Sequence, residues 1–303
     1  MKTKIRVRVP ATTANVGPGF DSLGIALQIY NDVELTLSEV PEVQLMGDIP
    51  REQSHGALKM VMECTRLFFR KAKVEERGVA VQITGSVPTA RGLGSSVTVR
   101  LGVVAGLDRL FGNPLSKADV LKLVTELEGH PDNAAPGLHG GLVVSGIMGG
   151  GEVACIRKPL PESLQFVAAI PDFEVETKKA RALLPAALPF ADAVHNVNRV
   201  ALLVAALWNG DYGLVGDFLE DRLHQPVRST LIPQLFPCLK AAKEAGAIGG
   251  WLSGSGSTVM ALTKSNATKV GVTMKKVFAD SGRECEIVVV SADNTGVTFK
   301  DLA

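Results

Sequence analysis

With 303 residues, 46% of them hydrophobic, the chain is long enough to bury a full core and to divide into two domains. Its 32 basic and 31 acidic residues leave a net charge of +1, which argues against a nucleic-acid surface, since that needs a clustered basic excess. No apolar run approaches the about 18 residues that span a bilayer, and the opening MKTKIRVRVP lacks the apolar core of a signal peptide. Cys64, Cys155, Cys238 and Cys285 stand far apart among apolar neighbours with no CxxC pair, as buried free thiols would. A cytoplasmic protein is expected, with neither nucleic acid nor membrane as its partner.

In chain order, Ile5, Val7 and Val9 alternate with Lys4, Arg6 and Arg8, a strand with one wet face. Residues 10–27, PATTANVGPGFDSLGIAL, read as a glycine- and proline-shaped loop ending in a short helical turn at 22–27. Val33, Leu35 and Leu37 mark a second strand, and Leu58, Val61, Cys64 and Phe68 recur at helical spacing. Val79, Val81 and Ile83 form a strand that leads through a glycine loop into an apolar helix at 97–111, which should be central and buried. Ser116 and Asp119 make a capping box for a helix at 117–127, and the polar loop EGHPDNAAPGLHGG leads to a strand at 142–145. After a turn at Gly149, Gly150 and Gly151 the pattern restarts near Val153. A strand is expected at 166–170, a polar stretch at 174–181, and helices at 196–208, 214–223 and 235–245. A glycine- and serine-rich loop from 247 runs into a strand at 259–262, followed by a helix at 267–279 and a closing strand at 286–290. The irregular alternation indicates an α+β layout and no repeat.

The chemistry concentrates in the stretch GSVPTARGLGSS, residues 85–96. Gly92 and Gly94 let the backbone turn and approach a ligand without a Cβ in the way. Ser95 and Ser96 place hydroxyls beside the free N–H groups of a first helical turn, a site for the phosphates of a nucleoside triphosphate. A plain serine-capped turn is the alternative. No GK[ST] follows the glycines and no HRD or DFG occurs, which excludes a Walker A loop and a protein kinase.

PTARGLGSS resembles the P-x-x-x-G-L-G-S-S motif of the GHMP small-molecule kinases. The opening PATTANVGPGFDSLG is similar to the homoserine kinase signature of that superfamily at almost every position, and HPDNAAP to a second segment. LSGSGST at 252–258, TKKARALLP at 177–185 and QPVRSTLIP at 225–233 continue the resemblance. It implies an α+β, two-domain GHMP kinase fold, with a ribosomal protein S5 domain 2-like domain over 1–152 and a ferredoxin-like domain over 153–303. It also implies ATP and Mg2+ as cofactors, L-homoserine as substrate, threonine biosynthesis as context and a homodimer.

Residue by residue, the resemblance implies a nucleotide site at Pro88, Thr89, Ala90, Arg91, Gly92, Leu93, Gly94, Ser95, Ser96, Val97 and Thr98. Asn15, Asp21, His130, Asn133, Thr177, Arg181 and Arg228 would line the substrate pocket. In it Asp21 would take the ammonium, and Arg181 and Arg228 the carboxylate through guanidinium forks. Ser96 and Glu126 would hold the metal, with Glu128 as competitor. Asn133, Ser96 and Arg181 would serve the transfer itself. No strong general base is expected; Asn133 would aim the hydroxyl, and Asp132 is the alternative. The helix start reads SSVT where SSAA is usual in the family, and the last motif ends in Ser257 and Thr258 where Pro-Ser is common. His55, His139, His195 and His224 have no ligand-like spacing and read as packing or surface residues. Trp208 and Trp251 read as core, and the adenine pocket falls loosely near 51–58.

Overall fold

Alternation at the start of the chain forms the first strand and aims its charges. In the computed structural model, which describes residues 3–40, 42–46 and 51–302 (the side chains at 51–54 excepted), β1 spans Lys4–Ala14 and β2 spans Leu23–Ser38. Ile5, Val7 and Val9 are fully buried, while Arg6 and Arg8 pair across the ladder with Glu34 and Asp32. These cross-strand forks help fix the register, because a one-residue slip would turn the arginines into the core.

β3 (Val43–Met46), β4 (Gly78–Gly85), β5 (Leu142–Ile147), β6 (Val153–Lys158) and a late strand, Thr298–Asp301, complete the first sheet. The late strand lies outside β1, then follow β2, β4 and β3, while β5 pairs with β2 and β6 with β5. α1 (Arg51–Ala72), α2 (Ser95–Leu110), α3 (Lys117–Glu128) and α4 (Ala134–His139) complete this half. α2 is buried along nearly its whole length and lies directly on β2. A Cβ at Gly102 would come 2.4 Å from Val33, and one at Gly106 2.6 Å from Leu35, so the glycines permit this close approach.

The second sheet contains β7 (Gln165–Pro171), β8 (Gly249–Leu252), β9 (Val259–Thr263) and β10 (Cys285–Val290), in the order β10-β7-β9-β8 and antiparallel throughout. With helices between its first two and last two strands, this is the ferredoxin-like arrangement. The helices are α5 (Thr177–Ala182), α6 (Phe190–Asn209), α7 (Val215–Phe218), α8 (Gln225–Arg228), α9 (Leu235–Glu244) and α10 (Ala267–Asp280); the late strand, Thr298–Asp301, is β11. α9 and α10 share one core with the sheet. Phe166, Ala168, Trp251 and Met260 of the sheet pack into another core with Leu203 and Leu207 of α6 and with Leu23, Ile25 and Leu27 of β2. One apolar layer therefore joins the two halves.

Several expectations are corrected. Residues 10–14 continue β1, and 23–27 begin β2 instead of a helical turn, since their buried side chains serve the inter-sheet core. The polar stretch 174–181 enters α5, the loop after residue 129 holds α4, and the helix expected over 214–223 ends at Phe218. β3, β8, α8 and β11 were not foreseen. The division at 152/153 falls inside the β5–β6 hairpin, so the first sheet runs on to Lys158 and takes back residues 298–301. By length and composition alone α6 is the one described helix apolar enough to cross a membrane, with mean hydropathy 1.2 over its window, although its uninterrupted apolar run is short. Its Asp192 and Arg199 are ion-paired to Arg222 and Glu220, and its Leu203 and Leu207 lie in the core.

Candidate active site between the two sheets

The loops at the ends of β1, β4, α3 and β8 meet around a cavity of about 630 Å³. After β4, Gly92 (φ 76°) and Gly94 (φ 69°) are left-handed, and Gly94 is the N-cap of α2. A Cβ at Gly94 would lie 2.2 Å from Thr12 Oγ1, so both space and torsion demand glycine there. No side chain caps α2 and no acid occupies its first turn. Its first N–H groups and positive dipole end are thus left to the cavity, beside Ser95 and Ser96.

Main-chain bonds hold this loop between the other two. Thr12 N–H donates to Leu93 O (3.1 Å), Thr258 N–H to Arg91 O (3.1 Å), and Ser253 Oγ to Gly92 O (2.7 Å). Thr12 Oγ1 also donates to Asn133 Oδ1 (2.7 Å), and a Cβ at Gly94 would stand 3.3 Å from that same oxygen. Asn133 is therefore fixed next to the start of α2.

Asn15 and Asp21 both have positive φ, and the Asn15 amide spans the N-terminal loop: its Oδ1 accepts from Asp21 N–H (3.1 Å) and its Nδ2 donates to Gly254 O (3.0 Å). The Asp21 carboxylate receives both Arg181 terminal nitrogens, at 2.6 and 3.1 Å. The Phe20 ring has the Arg181 guanidinium carbon 5.4 Å and the Arg228 one 5.3 Å from its centroid. Arg228 is 2% exposed, and burial followed by repulsion from Arg181 lowers its pKa to about 10. His130 Nδ1 bonds Asp132 Oδ1, which also accepts from Asn133 Nδ2 at 3.3 Å. Burial alone would lower the His130 pKa, but the Asp132 hydrogen bond and charge outweigh it and the net shift is upward. Ligand atoms of Asp21, His130 and Asp132 lie within 4.8 Å of one another, a cluster of the kind that can hold a cation. Thr177 Oγ1 lies 3.3 Å from Ser255 Oγ at the cavity wall.

Of the expected nucleotide residues, Thr89, Ala90, Gly92, Gly94, Ser95, Ser96 and Val97 line the cavity. Pro88, Arg91, Leu93 and Thr98 do not. The Arg91 guanidinium is tied to the carbonyls of Pro171 and Asp172 and pairs with Glu174, Leu93 is core, and Thr98 Oγ1 bonds Ser95 O and Asn31 Nδ2. The expected substrate residues Asn15, Asp21, His130, Asn133, Thr177, Arg181 and Arg228 all line it. Gly56, Ala57, Met60, Ile83 and Val87 give the cavity an apolar wall; the first two fall in the expected adenine stretch, while the side chains at 51–54 lie outside the described residues.

Glu126 is corrected. It is exposed on the outer side of α3, facing Lys71 (3.8 Å) and Arg70 (3.9 Å) of α1. Glu128 lines the cavity with its Oε1 ion-paired to Arg100 Nη1 at 3.1 Å. Residue 128 shares a helix face with the buried Leu121 and Val124, a spacing signal that favours it over residue 126. The Ser96 hydroxyl and the Glu128 carboxylate are hard oxygen donors at the cavity wall and fit a magnesium ion. Thr12, the anchor of Asn133, was missed, although it stands inside the PATTAN stretch.

The family described as GHMP kinases N terminal domain matches residues 59–141, and the family described as GHMP kinases C terminal matches residues 203–280. Over 96% of its length the chain is 42% identical to the homoserine kinase of Moorella thermoacetica, covering 98% of that protein. It is 43% identical to the homoserine kinase of Carboxydothermus hydrogenoformans, again over 96% of the chain and 95% of the relative. The crystal structure of homoserine kinase from Cytophaga hutchinsonii superposes with a TM-score of 0.88 at 33% identity, covering 99% of this chain and 98% of that one. The uncapped start of α2 opening beside Asp21, Arg181 and Arg228, joined to likeness along the whole chain, leads to one assignment: the chain belongs to the homoserine kinase family of the GHMP kinases.

Proposed function

We propose that the chain transfers the γ-phosphate of ATP to the hydroxyl of L-homoserine, giving O-phospho-L-homoserine and ADP, a step of threonine biosynthesis. The observation that carries this reading is the shared cavity: the uncapped start of α2 and the charged set Asp21, Arg181 and Arg228 open into one space. The triphosphate would lie along residues 89–97, its charge met by main-chain N–H groups and the α2 dipole. Asp21, with Asn15 behind it, would take the substrate ammonium, and Arg181 and Arg228 its carboxylate, while His130 and Thr177 complete the pocket wall. Asn133, held by Thr12, would aim the hydroxyl at the phosphate. In-line positioning and charge neutralisation suffice for such a transfer, so no residue is assigned as a strong base. Magnesium, held by Ser96 and Glu128, would neutralise phosphate charge. The family also implies a cytoplasmic homodimer, and light scattering of the purified chain tests the dimer.

An ADP-release assay over homoserine, serine, threonine, mevalonate and shikimate tests the substrate. Turnover is expected with homoserine far above the others; turnover confined to mevalonate or shikimate would overturn the assignment.

A further inference from the structure

One histidine that the sequence leaves among packing residues is enclosed completely behind the substrate pocket. His224, with no exposed surface, precedes α8 and sits between the N-terminal loop and Arg228. Its Nε2 faces two acceptors, Gly17 O at 2.9 Å and Asp221 Oδ2 at 3.5 Å. Its Nδ1 faces Arg228 Nη1 at 3.2 Å, and a guanidinium nitrogen can only donate. Only the neutral imidazole with its proton on Nε2 satisfies both sides. A proton on Nδ1 would point N–H at N–H and set two cations together. The Asp221 carboxylate is engaged elsewhere: it accepts from Asn196 Nδ2 (2.7 Å) and from the main-chain N–H groups of Leu223 (2.9 Å), His224 (3.0 Å) and Gln225 (2.7 Å). Burial, reinforced by the Arg228 charge and opposed by Asp221, moves the His224 pKa downward, in keeping with a neutral ring.

Arg228 Nη1 has one other acceptor, Gly254 O at 2.8 Å. Two bonds from one nitrogen, with the Phe20 ring against the guanidinium, leave Nη2 to a ligand. We propose that His224 is a positioning residue, whose Nδ1 lone pair orients the Arg228 guanidinium toward the substrate carboxylate. This rests on the assignment of Arg228 to that carboxylate. His224 itself touches no substrate.

Steady-state kinetics on the full chain, with homoserine and ATP varied separately, test it through three variants. His224→Phe keeps a ring against Phe20 but has no nitrogen. His224→Gln can place an amide where Nε2 stands, whereas His224→Asn places an amide oxygen where Nδ1 stands. The Phe and Gln variants are expected to raise KM for homoserine about tenfold or more, with kcat and KM for ATP changed by less than about threefold. The Asn variant is expected to restore KM for homoserine to within about threefold of the original. A wild-type KM in both His224→Phe and His224→Gln, an Asn variant no better than Gln, or parallel losses in kcat and both KM values would overturn the inference. If His224→Phe fails to fold, the Gln–Asn pair decides alone. Arg228→Gln separates the two levels: if it leaves KM for homoserine unchanged, the assignment of Arg228 fails; if it raises KM while His224→Gln does not, only the role of His224 fails.

Discussion

Glu126 and Glu128 are chemically identical, yet only one shares a cavity with the glycine loop that precedes α2. Two residues on a helix is a rotation of more than half a turn, so α3 sends Glu126 to the lysine and arginine of α1 and Glu128 inward. Glu128→Gln is therefore expected to lower kcat about 10- to 100-fold and to raise the Mg2+ concentration needed for half-maximal rate. Glu126→Gln, which loses only screened surface pairs, should change both by less than about twofold. A magnesium titration of turnover for the two variants checks this, and the opposite ranking would return the metal to Glu126. At this scale the sequence named the cavity residues through a motif, since short polar loops form most of the cavity wall. It did not show which side of a helix faced inward, nor that Arg91 and Leu93 inside the motif turn away from the cavity and hold the loop.

At the scale of elements, the glycine loop before α2 depends on a backbone form that only glycine adopts cheaply. Gly94 combines a left-handed φ of 69° with a neighbour, Thr12 Oγ1, that an added Cβ would meet at 2.2 Å, the same group that holds Asn133. Gly94→Ala is expected to cost about 1–3 kcal/mol of stability from the torsion alone and to lower kcat/KM for ATP about tenfold or more. Gly112, with φ 83° and nothing within 4 Å of an added Cβ, supplies the control. Gly112→Ala should show a comparable stability loss with kinetics unchanged, as thermal melts beside initial rates would reveal. Most long elements were legible from periodicity, because α2, α6, α9 and α10 each bury a definite set of residues. The pieces that were not legible are short: β3, β11, α5 and α8 span four to six residues and carry too few apolar positions for a period to be counted. Residues 23–27 were misread because their side chains are apolar without alternation, as in a strand covered on both faces.

For the whole molecule, the layer shared by the two sheets makes them one unit. Trp251 lies fully buried in it, its indole N–H donating to Thr13 Oγ1 of β1 at 2.9 Å. In a Trp208→Phe background, leaving Trp251 as the sole tryptophan, its fluorescence and the far-UV circular dichroism should report the same urea midpoint. A separate, earlier fluorescence transition would show that the halves part before they unfold.

The pairing of β11 with β1 bears on how the protein is made. Translation delivers β1 long before β11, so one border of the first sheet stays open on the ribosome until residues 298–301 follow. Arg6 and Arg8 on that border are already matched by Glu34 and Asp32 of β2, so the charge of the open hairpin is balanced before β11 arrives. The last join of that sheet therefore waits for a segment almost the whole described chain away from β1.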